Sequence, residues 1–579
     1  MIELALREEK KVADAIVDCL VEAGVDLVFT MPGGKTIRIL DSLFDAKNRI
    51  RTVMVRDEEI STIMAEAYGR LTGRPAVAMG QAAFLLSKAG IGIIEAFQGS
   101  TPMLVLTDLS DGAPYSHHGP YQSATGDYGS WDAARAFGAY TKRTMVSHFP
   151  GEAVQHVQLG LKHAMTGEQG PVAVCFHSAV FDGKVGPATT PEIYSSAAYL
   201  GPARTRLEPN GSAVRALAPI LAAAKAPVII AGNGVRLSQA YSALEGLAER
   251  LGAPVVTTAT GKGVLREDHP LALGVIGNYG RPAAIEAVGG ADLVLALGTK
   301  LSPNDTIGEH PGMIDPTRQT IVQIDVEPLN VSWSVPVSHF LIGDVRLCLE
   351  ALLEALEPGA PSDAGRAKVE AARARHGYYG REPAAIASQT DQSPQRIVSE
   401  LSRCLPQNSV VACDAGENRL FMMHYFQVRN PGAYLQPGSS GGMGFALPAA
   451  MGAKLAMPDS LSVAVCGDGG FAMSMPALLT AIEEKIPILV VVLNNNALGW
   501  VKNIQMDRAI AVDFAVFDYA AIARAIGCHA ERIDGASGLA EAVGRAIAAG
   551  QPAVIEVATS LEVSHKDITS AITQVPRRH

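Results

Sequence analysis

An aspartate and an asparagine at the ends of two apolar runs are the residues of this chain best placed to do chemistry. Val463–Cys466 stops at Gly467-Asp468-Gly469, and Ile488–Leu493 stops at Asn494-Asn495. One helix-like segment, from about Met475 to Lys485, lies between them. Short β-rich runs separated by a helix describe a βαβ unit with parallel strands. Asp468 and Asn495 then emerge together at the carboxyl edge of the sheet, where open α/β sheets bind ligands. The glycines beside Asp468 let backbone N–H groups approach an anion closely, and the positive end of the next helix is near. A carboxylate beside an amide oxygen suits a hard cation such as Mg²⁺, which commonly bridges to phosphate. The pattern predicts a metal–diphosphate anchor.

A second chemical group sits far upstream. The strand-like run Arg51–Val55 ends at Asp57-Glu58-Glu59, and a helical stretch, Ser61–Leu71, follows. A carboxyl at a strand end, ahead of an apolar helix, is placed to be partly desolvated.

The elements that must hold these groups alternate along the whole chain. Further strands are expected over 26–30, 75–79, 102–107 and 171–176, then over 227–231, 254–258, 291–297 and 320–325, and last over 410–413 and 552–557. Small, proline-bearing sequence over 186–209 and an Ala-, Gly- and Pro-rich stretch over 357–373 read as linkers. The expectation is an α/β protein of three doubly wound parallel-sheet domains, over residues 1–185, 208–356 and 375–579. A length of 579 residues and a hydrophobic content of 48% leave room for such cores.

Composition narrows the function classes. The net charge of −10, with no basic tract, argues against nucleic acid as a partner. The longest aliphatic run is far below the roughly 18–20 residues of a membrane span. Seven scattered cysteines with no CxxC, and a charged, helical start without a signal-peptide core, predict reduced thiols in the cytoplasm.

GDG, 24 residues, then NN resembles the thiamine diphosphate (ThDP) motif, and the likeness to the acetolactate synthase / 2-oxoacid decarboxylase family runs over essentially the whole chain. That resemblance implies a pyrimidine-binding first domain, a central domain and a diphosphate-binding third domain, with ThDP and Mg²⁺ as cofactors. It places Asp468, Asn495 and the Ala497 carbonyl on the metal, with Gly467, Gly469, Gly470 and Leu498 beside the cofactor. Arg56-Asp57-Glu58-Glu59 followed by Ala65-Glu66-Ala67-Tyr68-Gly69-Arg70 resembles the family's HEQ…GYAR segment, so Glu58 falls on the carboxyl that meets the aminopyrimidine ring. Gly442-Met443-Gly444 resembles the segment that props ThDP in a bent shape, and Gly416, Glu417 and Asn418 fall where relatives hold the diphosphate.

On the substrate side, Tyr121-Gln122 and Lys142 resemble acetolactate synthase pocket residues, whereas His117-His118 is similar to the histidine pair of pyruvate decarboxylases. Gly34, Phe84 and Trp500 complete the expected substrate set. Two departures bear on the substrate. Ala82–Lys88 replaces the family's SGPGATN loop, and Gly499-Trp500-Val501-Lys502 lacks the glutamate with which decarboxylases protonate their intermediate.

The resemblance leaves FAD open for the central domain, but Thr299–Asp305 stands where flavin-binding relatives have RFDDR, which favours a domain without a nucleotide. The family also implies a homodimer or homotetramer with active sites between subunits and a small-molecule substrate. The expected activity is C–C bond formation or cleavage on 2-oxo acids or acyloins, with acetolactate synthase-like carboligation leading. The alternatives are a 2-oxoacid decarboxylase or a 2-hydroxyacyl-CoA lyase. Two rivals are weaker: Gly232-Asn233-Gly234 as a nicotinamide turn lacks the third glycine, and a non-catalytic ThDP binder would not need Glu58.

Overall fold

The computed structural model describes residues 2–109, 122–126, 130–188, 192–200, 205–357, 363–379 and 389–568. Three six-stranded parallel sheets follow one another along the chain. The first holds Leu27–Thr30, Arg51–Met54, Ala76–Gln81, Met103–Asp108, Arg143–Ser147 and Pro171–Phe176, in spatial order 2-1-3-4-6-5. The third has the same order, built from Val410–Cys413, Tyr434–Leu435, Ser462–Gly467, Leu489–Asn494, His529–Ile533 and Ala553–Ala558. The middle sheet runs 3-2-1-4-5-6, the dinucleotide-fold order, through Pro227–Ala231, Val255–Thr257, Ala272–Val275, Leu293–Leu297, Thr320–Asp325 and His339–Ile342. The shared order of the outer two sheets is a structural repeat without a legible sequence repeat.

Each outer sheet has its topological switch point between its first and third strands, and ligand crevices open at the carboxyl end of such points. Central strands are buried on both faces, which is why they read as unbroken apolar runs.

One helix joins the outer domains. Glu58–Thr72 starts where the Asp57 carboxylate caps the Glu59 N–H at 3.1 Å and stops at Gly73, in the left-handed region at φ 66°. It is buried along almost its whole length, packed between Gly90–Gln98 and Ala446–Ala456. The approach to Ala446–Ala456 is so close that a Cβ on Gly452 would lie 2.4 Å from the Met64 carbonyl oxygen. Ile63, Met64 and Ala67 thus share one apolar core with Leu447, Ala450 and Met451, while the central domain keeps a core of its own.

Two expectations on elements change. The helix expected over 475–485 is the shorter Ala477–Glu483, and a further helix, Asp468–Ser474, precedes it with Asp468 as its first residue. The second expected linker carries a helix, Asp363–His376, anchored where Arg373 donates to the carbonyls of His269 and Ala272 at 2.7 and 2.8 Å. Among the described residues no helix is long and apolar enough to cross a membrane, and all seven cysteines are free.

Candidate active site

At the carboxyl edge of the third sheet, Asp468 follows the strand Ser462–Gly467 and is 3% exposed. Its Oδ1 accepts the Gly469 N–H at 2.9 Å, while Oδ2 is buried with no hydrogen-bond partner among the described residues. Burial pushes this carboxyl up to about 6. One strand over, the three asparagines divide their work. Asn494 is spent on structure, its Nδ2 donating to Glu556 at 2.7 Å and its Oδ1 accepting the Asn496 N–H at 3.0 Å. Asn495 lies one residue further, half-buried, with Oδ1 accepting the Ala497 N–H at 3.0 Å. The turn needs Asn496 at φ 54°, a conformation asparagine tolerates.

A residue outside the expected set holds this edge together. Asp414, at the end of Val410–Cys413, is fully buried and accepts from the N–H groups of Ala415, Gly444 and Ala446 at 2.7, 3.0 and 3.4 Å. Burial pushes it up to about 7. It fixes the Gly442-Met443-Gly444 segment against the Asp468 turn, and a Cβ on Gly470 would lie 2.7 Å from its Oδ2. Over Gly469, a Cβ would meet Met443 Cε at 3.1 Å, Phe514 at 3.2 Å and Leu498 Cδ2 at 3.3 Å. Met443 and Leu498 are therefore brought to one spot, joined by Phe514, which no sequence signal marks.

Gly416, at φ 99°, precedes the helix Glu417–Tyr425. Asn418 Nδ2 turns back to the Asp414 carbonyl at 3.2 Å. The Glu417 side chain turns aside, accepting from Asn503 Nδ2 at 3.0 Å, the His565 N–H at 2.7 Å and His565 Nδ1 at 3.1 Å. Trp500, expected to face substrate, is committed to packing. It stacks on His565 with ring centroids 4.6 Å apart and meets Tyr279 edge-on at 5.2 Å.

On the first domain, Glu58 is 6% exposed, and Lys88 Nζ lies 3.6 Å from its Oε2 while also pairing with Asp57. Glu59 reaches toward Gly444, where a Cβ would lie 3.6 Å from its Oε1, and burial, then Asp57, raises its pKa. Gly34, at φ 59°, ends the neighbouring turn, and Lys35 N–H donates to Asp108 Oδ2 at 2.7 Å. Phe84 is 42% exposed on Ala82–Lys88, and Gln122 is half-buried at φ 58°. His117, His118 and Tyr121 lie outside the described residues.

Lys142 corrects the sequence reading. It precedes the strand Arg143–Ser147 and so lies at the amino edge of the sheet, opposite the ligand edge. There its Nζ donates to the carbonyls of His163, Thr166 and Glu168 at 2.7, 2.6 and 2.6 Å, closing the end of the helix Pro150–Met165. Among the described residues no hydrogen bond or ion pair joins Glu58 to the Asp468–Asn495 edge of the same chain.

The central sheet opens at its own switch point into a cavity of about 1490 Å³, lined by Asn233, Thr299, Lys300, Asp325, Arg419 and Ser440 among others. Gly232 and Gly234 are there for contact between turns: a Cβ on Gly232 would lie 2.4 Å from the Gly298 carbonyl oxygen.

The donors present suit ThDP and its metal. An unpartnered buried carboxylate oxygen, an amide beside it and a glycine floor under Met443 and Leu498 make a cradle for a cation and an anion together. Comparison with known proteins agrees. Residues 10–128 match the N-terminal TPP binding domain of thiamine pyrophosphate enzymes, 214–352 the central domain and 414–557 the C-terminal TPP binding domain. A probable acetolactate synthase large subunit of Methanococcus aeolicus is 28% identical over 97% of this chain and 93% of its own length. The acetolactate synthase isozyme 3 large subunit of Escherichia coli is 30% identical over 85% of this chain and 83% of its own. Sulfoacetaldehyde acetyltransferase of Castellaniella defragrans is 27% identical over 93% and 91%. With its three sheets matched in order, the chain belongs to the thiamine pyrophosphate enzymes of the acetolactate synthase family and is a ThDP-dependent enzyme.

Proposed function

We propose that this enzyme is a Mg²⁺-dependent carboligase that joins a 2-oxo acid to a second carbonyl compound. The observation that carries the metal reading is Asp468, whose buried Oδ2 has no hydrogen-bond partner among the described residues and sits at the same sheet edge as Asn495. Asp468, Asn495 and the Ala497 carbonyl would hold Mg²⁺, and the N–H groups opening Glu417–Tyr425 and Asp468–Ser474 would be available to the diphosphate. Met443, gathered with Leu498 and Phe514 over Gly469, would pack against the bound cofactor. Bound ThDP supplies a carbon nucleophile and a cationic ring that takes up the electron pair released next to a carbonyl. With ThDP bound, Glu58 would hold a proton between its carboxyl and N1′ of the pyrimidine, which is its part in activating the cofactor. Its burial keeps water from competing for that proton.

Carboligation is favoured over simple decarboxylation by what surrounds the substrate side. Helix Gly499–Gln505 has no carboxylate to protonate a product, and Glu417 beside it is engaged by Asn503 and His565. Glu58 and Asp468 come together across a homodimer or a tetramer of dimers. Met31, Phe84 and Met473, at 37%, 42% and 60% exposure, are apolar side chains near the two edges that such an interface would cover. A screen of 2-oxo acids and acyloins with ThDP-loaded protein, following CO₂ release and carbonyl products together, tests the activity. Coupled product from a 2-oxo acid plus an acceptor is expected, and aldehyde release alone would replace carboligase by decarboxylase.

A further inference from the structure

The loop that carries Met443 is suspended between two buried carboxylates from different domains. Asp414 holds its far end through the Gly444 and Ala446 N–H groups. Glu95, on the first-domain helix Gly90–Gln98, holds the near end. Its Oε2 accepts the Ser440 N–H and the Ser440 hydroxyl, each at 2.7 Å, and its Oε1 accepts the Ser439 N–H at 3.2 Å. Arg70 Nη2 donates to the same Oε1 at 2.8 Å, and Arg70 Nη1 donates to the Gln436 carbonyl at 2.7 Å. Glu95 and Arg70 are each 1% exposed, so these bonds are made away from water. Ile91, one turn before Glu95 on the same helix face, lies under Gly442, where a Cβ would overlap its Cδ1.

Between the two grips lie only Gly441, Gly442 and Met443. With two glycines in it, that span has much conformational freedom to lose, so its course must be imposed from its ends. Gly441 and Gly444, in the left-handed region at φ 72° and 84°, take the turns this course requires. Every partner of the Glu95 carboxyl is a donor. Burial opposes its ionisation, but Arg70 and the Ser440 donors outweigh burial and hold it below its ordinary value.

We propose that Glu95 is a positioning residue for the reaction, acting through Ser439 and Ser440 to set where Met443 meets ThDP. The inference rests on the reading of Met443 given above. Its consequence is that the first domain serves two sites of the assembly. In the proposed dimer Glu58 serves the third domain of the other copy, whereas Glu95 works on the third domain of its own chain.

The test uses the full-length protein. Without ThDP, backbone amides over 439–446 are expected to lose their protection from hydrogen exchange in Glu95→Gln, while those over 494–498 keep theirs, as read by mass spectrometry. With ThDP and Mg²⁺ saturating, C2–H/D exchange of the cofactor, read by NMR after acid quench, should slow by about 10–100-fold, the cost of a misplacement of about 1 Å. Met443→Ala should slow it comparably, and in that background Glu95→Gln should add no more than about twofold. Ile91→Ala, which frees Gly442 without removing a charge, carries the same test should Glu95→Gln fail to fold. Hybrid dimers give an independent reading. Glu95→Gln mixed with Glu58→Gln should regain fast cofactor exchange in about a quarter of sites, whereas mixing with Asp468→Ala leaves no intact site. Kept amide protection, unslowed cofactor exchange, or slowing that multiplies that of Met443→Ala would each overturn the role of Glu95. So would no recovery with Glu58→Gln where Glu58→Gln and Asp468→Ala recover together. Wild-type cofactor exchange in Met443→Ala would overturn the reading of Met443 and this inference with it.

Discussion

Asp468 carries the metal reading at the residue scale, because its buried Oδ2 has no hydrogen-bond partner among the described residues and lies at the ligand edge of the sheet. Replacing it by alanine is expected to abolish Mg²⁺-dependent ThDP binding in calorimetry while leaving the fold intact. Unchanged ThDP affinity would remove it from the metal site. Its position was legible because an anchor for a metal and diphosphate needs particular residue types at adjacent strand ends, and strand ends are visible as the limits of apolar runs. Asp414 was not legible, since its partners are backbone N–H groups some 30 residues downstream that look like any others in sequence. Lys142 misled for a related reason. A lysine next to a strand carries no mark of which sheet edge it occupies, and here the carbonyls at a helix end claim it.

Among elements, the strands that escaped sequence reading share one physical property. Arg143–Ser147, Ala272–Val275, His339–Ile342, Tyr434–Leu435 and His529–Ile533 are all at sheet edges. An edge strand has one neighbour and needs less apolar sequence, as the half-exposed His529–Ile533 illustrates. The central strands could be read almost to the residue. The join between the central and third domains gives a pH prediction. His424 is buried, its ring donates Nε2–H to the Tyr279 carbonyl at 2.8 Å, and burial lowers its pKa to about 3. The folded value lies below the ordinary 6.5, so this contribution is present above pH 6.5 and is lost as pH falls from there toward 3. Each unit across that window costs about 1.4 kcal/mol for the one group. Thermal unfolding followed from neutral to mildly acidic pH should fall less steeply in His424→Gln, whose amide can still donate to Tyr279. Parallel curves would show that another group sets the acid sensitivity.

At the scale of the whole molecule, the proposal puts the two halves of the site on different copies of the chain. Glu58→Gln and Asp468→Ala should each be inactive alone. Random reassociation of equal amounts would return about a quarter of wild-type turnover, because half of the dimers keep one intact site of two. No recovery after demonstrated subunit exchange would place both groups in one chain. The central domain is expected to be colourless. In the segment that would clasp a flavin, Ser302 donates to Asp305 at 2.8 Å, and Lys300 is paired with Glu168 at 2.8 Å. A flavin band at stoichiometric occupancy through gel filtration would contradict that. The assembly had no signature in the sequence, which marks buried faces of a domain and faces buried between subunits alike. The proposed chemistry turns on whether Glu58 activates bound ThDP. The direct measurement is C2–H/D exchange of the cofactor on Glu58→Gln protein that still binds ThDP. Exchange slowed by roughly 10²–10⁴-fold, the range of general acid–base catalysis, is the predicted result. Exchange at the wild-type rate would contradict it and turn attention to Glu59.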